Sequence, residues 1–197
     1  MREVKAVKIN AADFAPYGTF YSMTEPEGHP LEGEIHKFYP DRISGACVGS
    51  MAFSPLAVRK DERIIKAAEY HTTTWEGIVA LDDDMIIHVA PASGGTPVPE
   101  LTKAFLVPKG YMVKLNAAIW HLCPLPANNE VLHAMIILLD YAYDLPYQQI
   151  INSNNIGIAI MQGLAGSFGI VLSVPLTYAN DCTVVDFDEK DWFKITV

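Results

Sequence analysis

Apolar and polar residues alternate in short runs along most of this chain, which is the pattern of half-buried β-strands. These runs predict strands at 4–9, 19–23, 35–39, 46–53, 75–81, 85–90, 103–107, 111–115, 119–122, 131–139, 181–185 and 192–197. Asn10 or Asp13 can cap one short helical turn, which Pro16 and Gly18 would end. Many short strands with few helices indicate a closed β-sandwich or barrel.

Short polar clusters between the strands predict two hairpins. The first turn is the acidic run at 82–84, which we interpret as a solvated turn between its flanking strands. The second is Pro108-Lys109-Gly110, with proline at the second position of a turn and glycine two residues later. Each pair of flanking strands is therefore expected to lie side by side.

Three further segments affect the predicted fold. Segment 59–68 fits a helix or a strand, and we favour a strand because Tyr-His-Thr-Thr-Thr at 70–74 suits a pleated sheet. Pro55 is expected to limit the strand at 46–53. Segment 156–176 carries no charged residue and is long enough to span a bilayer. No Lys or Arg flanks it, so we interpret it as two buried strands joined by glycine-rich turns.

Composition narrows the class of protein. A chain of 197 residues, 50% hydrophobic and 19% charged, is most simply one globular domain spanning 1–197. The net charge of −9 argues against a nucleic-acid partner, which requires clustered Lys and Arg. Cys47, Cys123 and Cys182 are few and far apart, which indicates a reducing compartment without disulfides. No signal peptide follows Met1, so we expect a cytoplasmic protein without a membrane partner.

Acids and imidazoles cluster between residues 69 and 121. Glu69 and His71 are two positions apart and project from one face of a strand. Glu76 would face the other way unless a bend at 72–74 corrects it. If His121, from a later strand, joins them inside a barrel, the four side chains suit a divalent metal such as Zn, Mn, Ni or Fe. Without a metal, they suit acid–base catalysis.

Each candidate also has an ordinary structural interpretation, which the sequence leaves open. His121 can be a core histidine with one hydrogen bond, and the two glutamates can be solvated charges at strand ends. His88 and His133 alternate with apolar neighbours and are more simply core or surface histidines. Tyr111 and Lys114 can face the same cavity, but no pattern fixes their sides.

The motif Glu69-x-His71-x4-Glu76, followed by Pro108-x-Gly110 and His121, resembles the paired motifs of the cupin superfamily. Cupins are double-stranded β-helix barrels whose motif residues commonly bind a metal. The resemblance implies an all-β cupin-like barrel with a few helical turns and with His71, Glu76, His121 and Glu69 as ligands of any metal present.

A second resemblance is to the ureidoglycolate lyase family, which has a cupin-like barrel. It rests on Asp13-Phe14-Ala15-Pro16-Tyr17-Gly18, Glu69-Tyr70-His71, Lys103-Ala104-Phe105, Ile119-Trp120-His121 and Asn180-Asp181-Cys182-Thr183-Val184-Val185. The likeness covers most of 14–139 and 178–189, so 141–175 looks inserted. It implies a lyase of purine catabolism that splits ureidoglycolate, a small polar acid, into glyoxylate and urea.

These resemblances give each candidate residue a role. His121 and His71 would act as acid and base, Glu69 would orient an imidazole, and Glu76 would be a base or metal ligand. Arg42 is the nearest candidate for binding a substrate carboxylate. The expected contacts to the small-molecule substrate are Tyr111, Lys114, Trp120 and Arg42.

Two other functions remain open. A metal-dependent isomerase or epimerase of sugars or sugar acids would use the same four residues as ligands. A non-catalytic cupin that binds a sugar or acid would be stabilised by that ligand without turnover. The apolar inserted stretch, together with sheet edges that need covering, also predicts a homodimer.

Overall fold

The computed structural model describes residues 1–46, 49–139 and 182–197. Within them the strands are β1 (Arg2–Lys8), β2 (Gly18–Ser22), β3 (Leu31–Glu32), β4 (Lys37–Phe38), β5 (Met51–Arg59), β6 (Ile64–Ile65), β7 (Ala67–His71), β8 (Glu76–Ala80), β9 (Met85–Ala90), β10 (Lys103–Val107), β11 (Tyr111–Leu115), β12 (Trp120–His121), β13 (Leu125–Pro126), β14 (Val131–Leu139), β15 (Cys182–Asp186) and β16 (Phe193–Thr196). The described residues also contain one α-helix, α1 (Ala11–Phe14), which is capped by the side chain of Asn10, and short 3-10 turns at Pro99–Leu101 and Glu189–Asp191.

Most of the described strands lie in two curled sheets. The larger sheet has the order β15-β7-β12-β9-β10-β1-β16-β6, with β13 paired beside β9. The smaller sheet has the order β2-β11-β8-β14-β5, and β3 pairs separately with β4. The prediction of an all-β fold with few helical turns is confirmed in the described residues.

The main core lies between the two sheets. The smaller sheet contributes Ile78, Val113 and Leu132, and the larger sheet contributes Ile87 and Phe105. Each fully buried side chain of this size stabilises the fold by roughly 1.5–3 kcal/mol. This shared core fixes the distance between the sheets, and therefore fixes any site whose residues come from both.

Strand β9 is buried on both faces. Ile87 and Val89 point into the main core, whereas Ile86 belongs to an outer layer with Phe193. Ala90 packs in the same outer direction against Trp120. A strand covered on both sides reads as a continuous apolar run, which explains the sequence of Met85–Ala90.

Neither predicted hairpin forms. Strand β8 pairs with β11 and β14 in the smaller sheet, whereas β9 pairs with β10, β12 and β13 in the larger. Strands β10 and β11 likewise lie in different sheets. Both turns therefore carry the chain across the core, and a local turn sequence does not distinguish such a crossing from a hairpin.

The turn around Pro108 also differs from its prediction. The amide of Tyr111 donates to the carbonyl oxygen of Pro108 at 3.2 Å, so proline occupies the first position of the turn. Gly110 occupies the third position with a φ of 79°. Glycine adopts this left-handed conformation without the steric cost of a Cβ atom.

The acidic run is not a fully solvated turn, because only Asp82 of its three residues is exposed. Asp83 is buried, and its Oδ2 accepts the backbone amides of Asn128 at 2.9 Å and Asn129 at 2.8 Å. Its Oδ1 accepts the Asn128 side-chain amide at 2.9 Å. The carboxylate of Asp84 accepts the amide of Lys109. These aspartates join three loops because carboxylates satisfy backbone donors that strand pairing leaves free.

Strand β5 continues through Pro55 to Arg59 instead of ending before it. Among the described strands it is the last of the smaller sheet and pairs with β14 on one side, and such an edge position tolerates the missing amide hydrogen of proline. Segment 59–68 contains β6 and the start of β7, which confirms the preference for strand over helix.

Segment 156–176 and the insertion predicted at 141–175 lie outside the described residues, as does Cys47. The homodimer and the single-domain boundary stay predictions. In the part of the chain that the structure describes, no helix is long and apolar enough to cross a membrane.

Candidate metal and acid–base site

Three buried side chains meet between the sheets. His71 ends β7, His121 ends β12 and Glu76 begins β8, with 2%, 2% and 5% of their surfaces exposed. The Nε2 atoms of His71 and His121 lie 3.0 Å and 2.9 Å from the same Oε2 atom of Glu76. The two imidazole rings are 5.4 Å apart.

A bend between β7 and β8 brings His71 and Glu76 together. β7 belongs to the larger sheet and β8 to the smaller one, so residues 72–75 carry the chain across the core. Glu76 then shares the inward face of its strand with Ile78 and Ala80. The bend that the spacing required is therefore present, and it changes the sheet as well as the face.

His121 reaches the site through strand pairing. It pairs with Glu69 on β7 and with Val89 on β9, so the two imidazoles come from neighbouring strands. The Nδ1 atom of His121 lies 2.8 Å from the carbonyl oxygen of Ile119, to which it donates its hydrogen. This contact orients the ring and turns Nε2 towards Glu76.

Mutual attraction stabilises the charged forms of Glu76 and His121. Burial alone would raise the pKa of Glu76, but the charge and hydrogen bond of His121, joined by His71, lower it. Burial alone would lower the pKa of His121, but the charge and hydrogen bond of Glu76 raise it. The interior therefore contains an ionised Glu76 carboxylate next to a positively charged imidazole.

The donor set fits a divalent metal. One ligand atom from each of His71, Glu76 and His121 lies within 4.8 Å of the others. Two imidazole nitrogens and one carboxylate oxygen are ligands that Zn and Fe(II) take in catalytic sites with open positions. A metal-binding histidine usually donates its other ring hydrogen to a carbonyl or carboxylate, as His121 does to Ile119.

Glu69 lies beside the three residues. It shares β7 with His71, and its charge is among the causes that raise the pKa of His121. Its Oε2 accepts a hydrogen bond from the buried thiol of Cys182 at 3.3 Å. Burial, with the charge of Glu69 next, raises the pKa of Cys123 to about 11, so that thiol stays protonated.

The predicted substrate contacts do not gather at this site. Trp120 points to the outer layer, where its Nε1 donates to Ser93 Oγ at 2.8 Å and its ring lies 4.4 Å from Tyr70. Adjacent residues of a strand face opposite ways, so Trp120 and His121 do not share a cavity. Tyr111 packs against Phe20 at another part of the main core.

Arg42 and Lys114 lie on the outer side of the smaller sheet. Arg42 lies over the rings of Tyr21 and Tyr39, in a groove of about 620 Å³, and donates to the carbonyl oxygen of His29. Lys114 donates to the carbonyl oxygen of Ser44. The structure therefore brings together the histidines and Glu76, with Glu69 adjacent, and leaves the four substrate candidates elsewhere.

His88 is a core histidine, consistent with the simpler of its interpretations. It is buried in the outer layer next to the ring of Phe193, and its Nε2 has no hydrogen-bond partner among the described residues. Burial, followed by the positive charge of His121, lowers the pKa of His88 to about 3. It therefore stays neutral.

Comparisons with known proteins give distant likenesses. A family model described as YibE/F-like protein matches residues 132–184. No curated protein matches the chain. RmlC from Streptococcus suis in complex with dTDP-D-xylose is 11% identical, with a TM-score of 0.33, over 46% of this chain and 44% of that one. A dTDP sugar isomerase from Desulfovibrio desulfuricans G20 is 11% identical, with a TM-score of 0.39, over 68% of this chain and 82% of that one.

This chain thus spans less than half of the first of these structures, and neither likeness is close enough to carry an activity. None of these matches is described as a ureidoglycolate lyase. The class that the sheets and the site define is an all-β fold of curled sheets with a buried His-Glu-His group able to hold a metal ion.

Proposed function

We propose that this protein is a metal-dependent isomerase or epimerase that acts on a sugar or sugar acid. The observation that carries the proposal is the convergence of two imidazole Nε2 atoms on one carboxylate oxygen inside the fold. A divalent metal held by His71, Glu76 and His121 would polarise a carbonyl or hydroxyl oxygen of the substrate.

The residues around this group supply the remaining parts of the reaction. The carboxylate of Glu69, which lies two residues before His71 on β7 and opposite His121 on β12, would take a proton from a carbon adjacent to a polarised carbonyl. The apolar core beside the site would help to exclude water from the reacting carbon. The Ile119 carbonyl and Glu76 hold the His121 ring in place.

Geometry supports this reaction better than urea elimination. A lyase needs an acid and a base that act at separate points of the substrate. Here both histidines face the same oxygen of Glu76, which suits shared ligation of one cation. Arg42, the candidate for anchoring the substrate carboxylate, lies on the outer side of the smaller sheet.

Metal analysis is the direct test. Protein stripped with chelator and then incubated separately with Zn²⁺, Mn²⁺, Ni²⁺ and Fe²⁺ should retain one equivalent of at least one of them. The Glu76→Gln variant should lose this binding, whereas His133→Ala, at an exposed histidine, should keep it. Absence of stoichiometric binding by the unaltered protein would reject the proposal.

Activity is tested with the loaded protein in deuterated water. A panel of aldoses, ketoses and their acids should include a substrate that incorporates deuterium at the carbon next to its carbonyl, detected by NMR. Ureidoglycolate belongs in the same panel, and release of urea without such exchange would favour the lyase. Ligand-induced stabilisation without exchange or urea would favour a binding protein.

A further inference from the structure

The loop between β11 and β12 contacts both histidines of the site through its backbone. The amide of Ala118 donates to the carbonyl oxygen of His71. The next residue, Ile119, accepts the Nδ1 hydrogen of His121 at 2.8 Å. At its start the loop is fixed by the amide of Asn116, which donates to the carbonyl oxygen of Tyr17 at 2.9 Å. One short loop therefore connects the backbone of one histidine to the ring of the other.

Ala118 adopts a backbone conformation that alanine normally avoids. Its φ is 65°, in the left-handed region, where a Cβ atom lies too close to the following carbonyl oxygen. The cost is roughly 1–2 kcal/mol for a residue other than glycine. Such conformations persist where the surroundings hold them, and they are concentrated at functional sites.

The conformation of Ala118 and the two hydrogen bonds depend on each other. If Ala118 returned to an ordinary negative φ, its amide would turn away from the His71 carbonyl. The same rotation would move the Ile119 carbonyl, and His121 would lose the acceptor that fixes its ring.

We propose that Ala118 is a positioning residue for the His-Glu-His group. Its left-handed backbone places His71 and His121 so that their Nε2 atoms converge on a single point. Ala118 contacts no substrate and supplies no ligand. The inference rests on the proposed metal-binding function, and it adds a residue outside the cupin-like motif quoted from the sequence.

The test compares substitutions that differ in their tolerance of positive φ. Ala118→Gly and Ala118→Asn accept the left-handed region, whereas the β-branched Ala118→Val opposes it. Zn²⁺ affinity, measured by competition with a chromophoric chelator, should stay within about threefold in the Gly and Asn variants. In the Val variant it should fall about 10- to 100-fold, the usual loss when an outer contact of a metal ligand is removed.

A matched control separates this effect from general strain. Asp41 also has a positive φ, of 56°, but it lies by the groove on the outer side of the smaller sheet. Asp41→Val should therefore leave Zn²⁺ affinity unchanged. Equal affinity in Ala118→Val and the unaltered protein would overturn the inference. So would an equal loss in the Asn and Val variants, because the size of the side chain and not the backbone conformation would then decide the affinity.

A second measurement keeps the inference independent of metal binding and of the folding of the Val variant. In the metal-free protein, the Nδ1 hydrogen of His121 should give a slowly exchanging NMR signal, because Ile119 accepts it. Ala118→Gly, which adopts the left-handed conformation without the cost of a Cβ atom, should slow that exchange at least threefold while Asp41→Gly leaves it unchanged; faster or unchanged exchange in Ala118→Gly would refute the loop's role. If the unaltered protein binds no metal, the proposed function fails while this test of the loop still stands.

Discussion

Two contacts between a histidine and a carboxylate occur in very different parts of this molecule. His121 and Glu76 meet at 2.9 Å between the sheets, with side chains 3% and 5% exposed. His133 and Asp82 meet at 2.5 Å on the surface, with side chains 56% and 42% exposed. The chemical groups are the same, and the buried pair has a second imidazole beside it.

The comparison shows that burial, more than contact distance, gives such a pair its chemical importance. Water screens the exposed pair, and surface pairs contribute little to stability. The pKa of Asp82 is lowered chiefly by the backbone hydrogen bond from His133, with the side-chain bond second. In the interior, by contrast, removing either charge leaves the other without compensation.

The largest expected effect is at Glu76. Glu76→Gln removes the charge that balances His121, so the free energy of unfolding should fall by about 3–5 kcal/mol. Urea denaturation at pH 7 measures this change. Asp82→Asn is the matched control on the surface, and a comparable loss in both variants would show that burial does not separate the pairs.

Stabilisation by bound metal should also distinguish the buried group from the exposed pair, with a smaller change in the free energy of unfolding. Zn²⁺ at about 100 times its dissociation constant should stabilise the protein by about 2.7 kcal/mol, because it binds the folded state. The gain should disappear in Glu76→Gln and persist in His133→Ala. Stabilisation lost in His133→Ala would instead place the metal on the surface.

Asp83 tests a buried carboxylate that has no histidine partner. Replacing it with Ala leaves two backbone amides and one side-chain amide without their acceptor, at a cost of about 1–3 kcal/mol. Thermal unfolding at neutral pH measures the loss. An unchanged melting temperature would mean that water replaces the carboxylate fully.

The Asp83 contribution should also depend on pH. Burial alone would raise the pKa of Asp83, but hydrogen bonds from Asn129 and Asn128 lower it below its ordinary value. Because its pKa is lower in the folded state, the ionised Asp83 carboxylate stabilises the folded state above about pH 4. This stabilisation is lost as the pH falls through the folded-state pKa. The difference in the free energy of unfolding between the unaltered protein and Asp83→Ala should therefore become smaller as the pH is lowered from 6 to 3. A difference that widens in acid would contradict this sign.

The smallest effect is expected at the exposed pair. Asp82→Asn should leave the urea midpoint unchanged within error, since both side chains are solvated. The measurement is made at low salt, where attraction between surface charges is strongest. A clear decrease in the urea midpoint would show that this pair stabilises the protein more than its exposure indicates.

The local pattern of apolar and polar residues predicted the positions of the strands well. It predicted poorly which strands pair with one another. The bounds of β14 agree with the predicted 131–139, because alternation and length define a strand locally. The turns at 82–84 and 108–110 connect different sheets, which depends on residues far away in the chain. Asp83 looked solvated for the same reason: its partners, Asn128 and Asn129, are distant in sequence.

The sequence predicted the candidate site well where the alternation of side chains along a strand determines which face they share. Two-residue spacing placed Glu69 and His71 on one face, and the bend at 72–74 brought Glu76 to them. The same rule excludes Trp120 from the site of His121, which the sequence interpretation overlooked. The Ile119 carbonyl that orients His121 belongs to the backbone. Its role therefore cannot be predicted from the type of residue at that position.

Strand β15 has a consequence for the order in which the molecule assembles. It covers the edge of β7 residue by residue, from Cys182 opposite His71 to Asp186 opposite Ala67. During translation β7 leaves the ribosome more than a hundred residues before β15, so this edge of β7 waits for its β15 partner. Such remote pairing is slow. The candidate site is therefore among the last parts of a newborn chain to close.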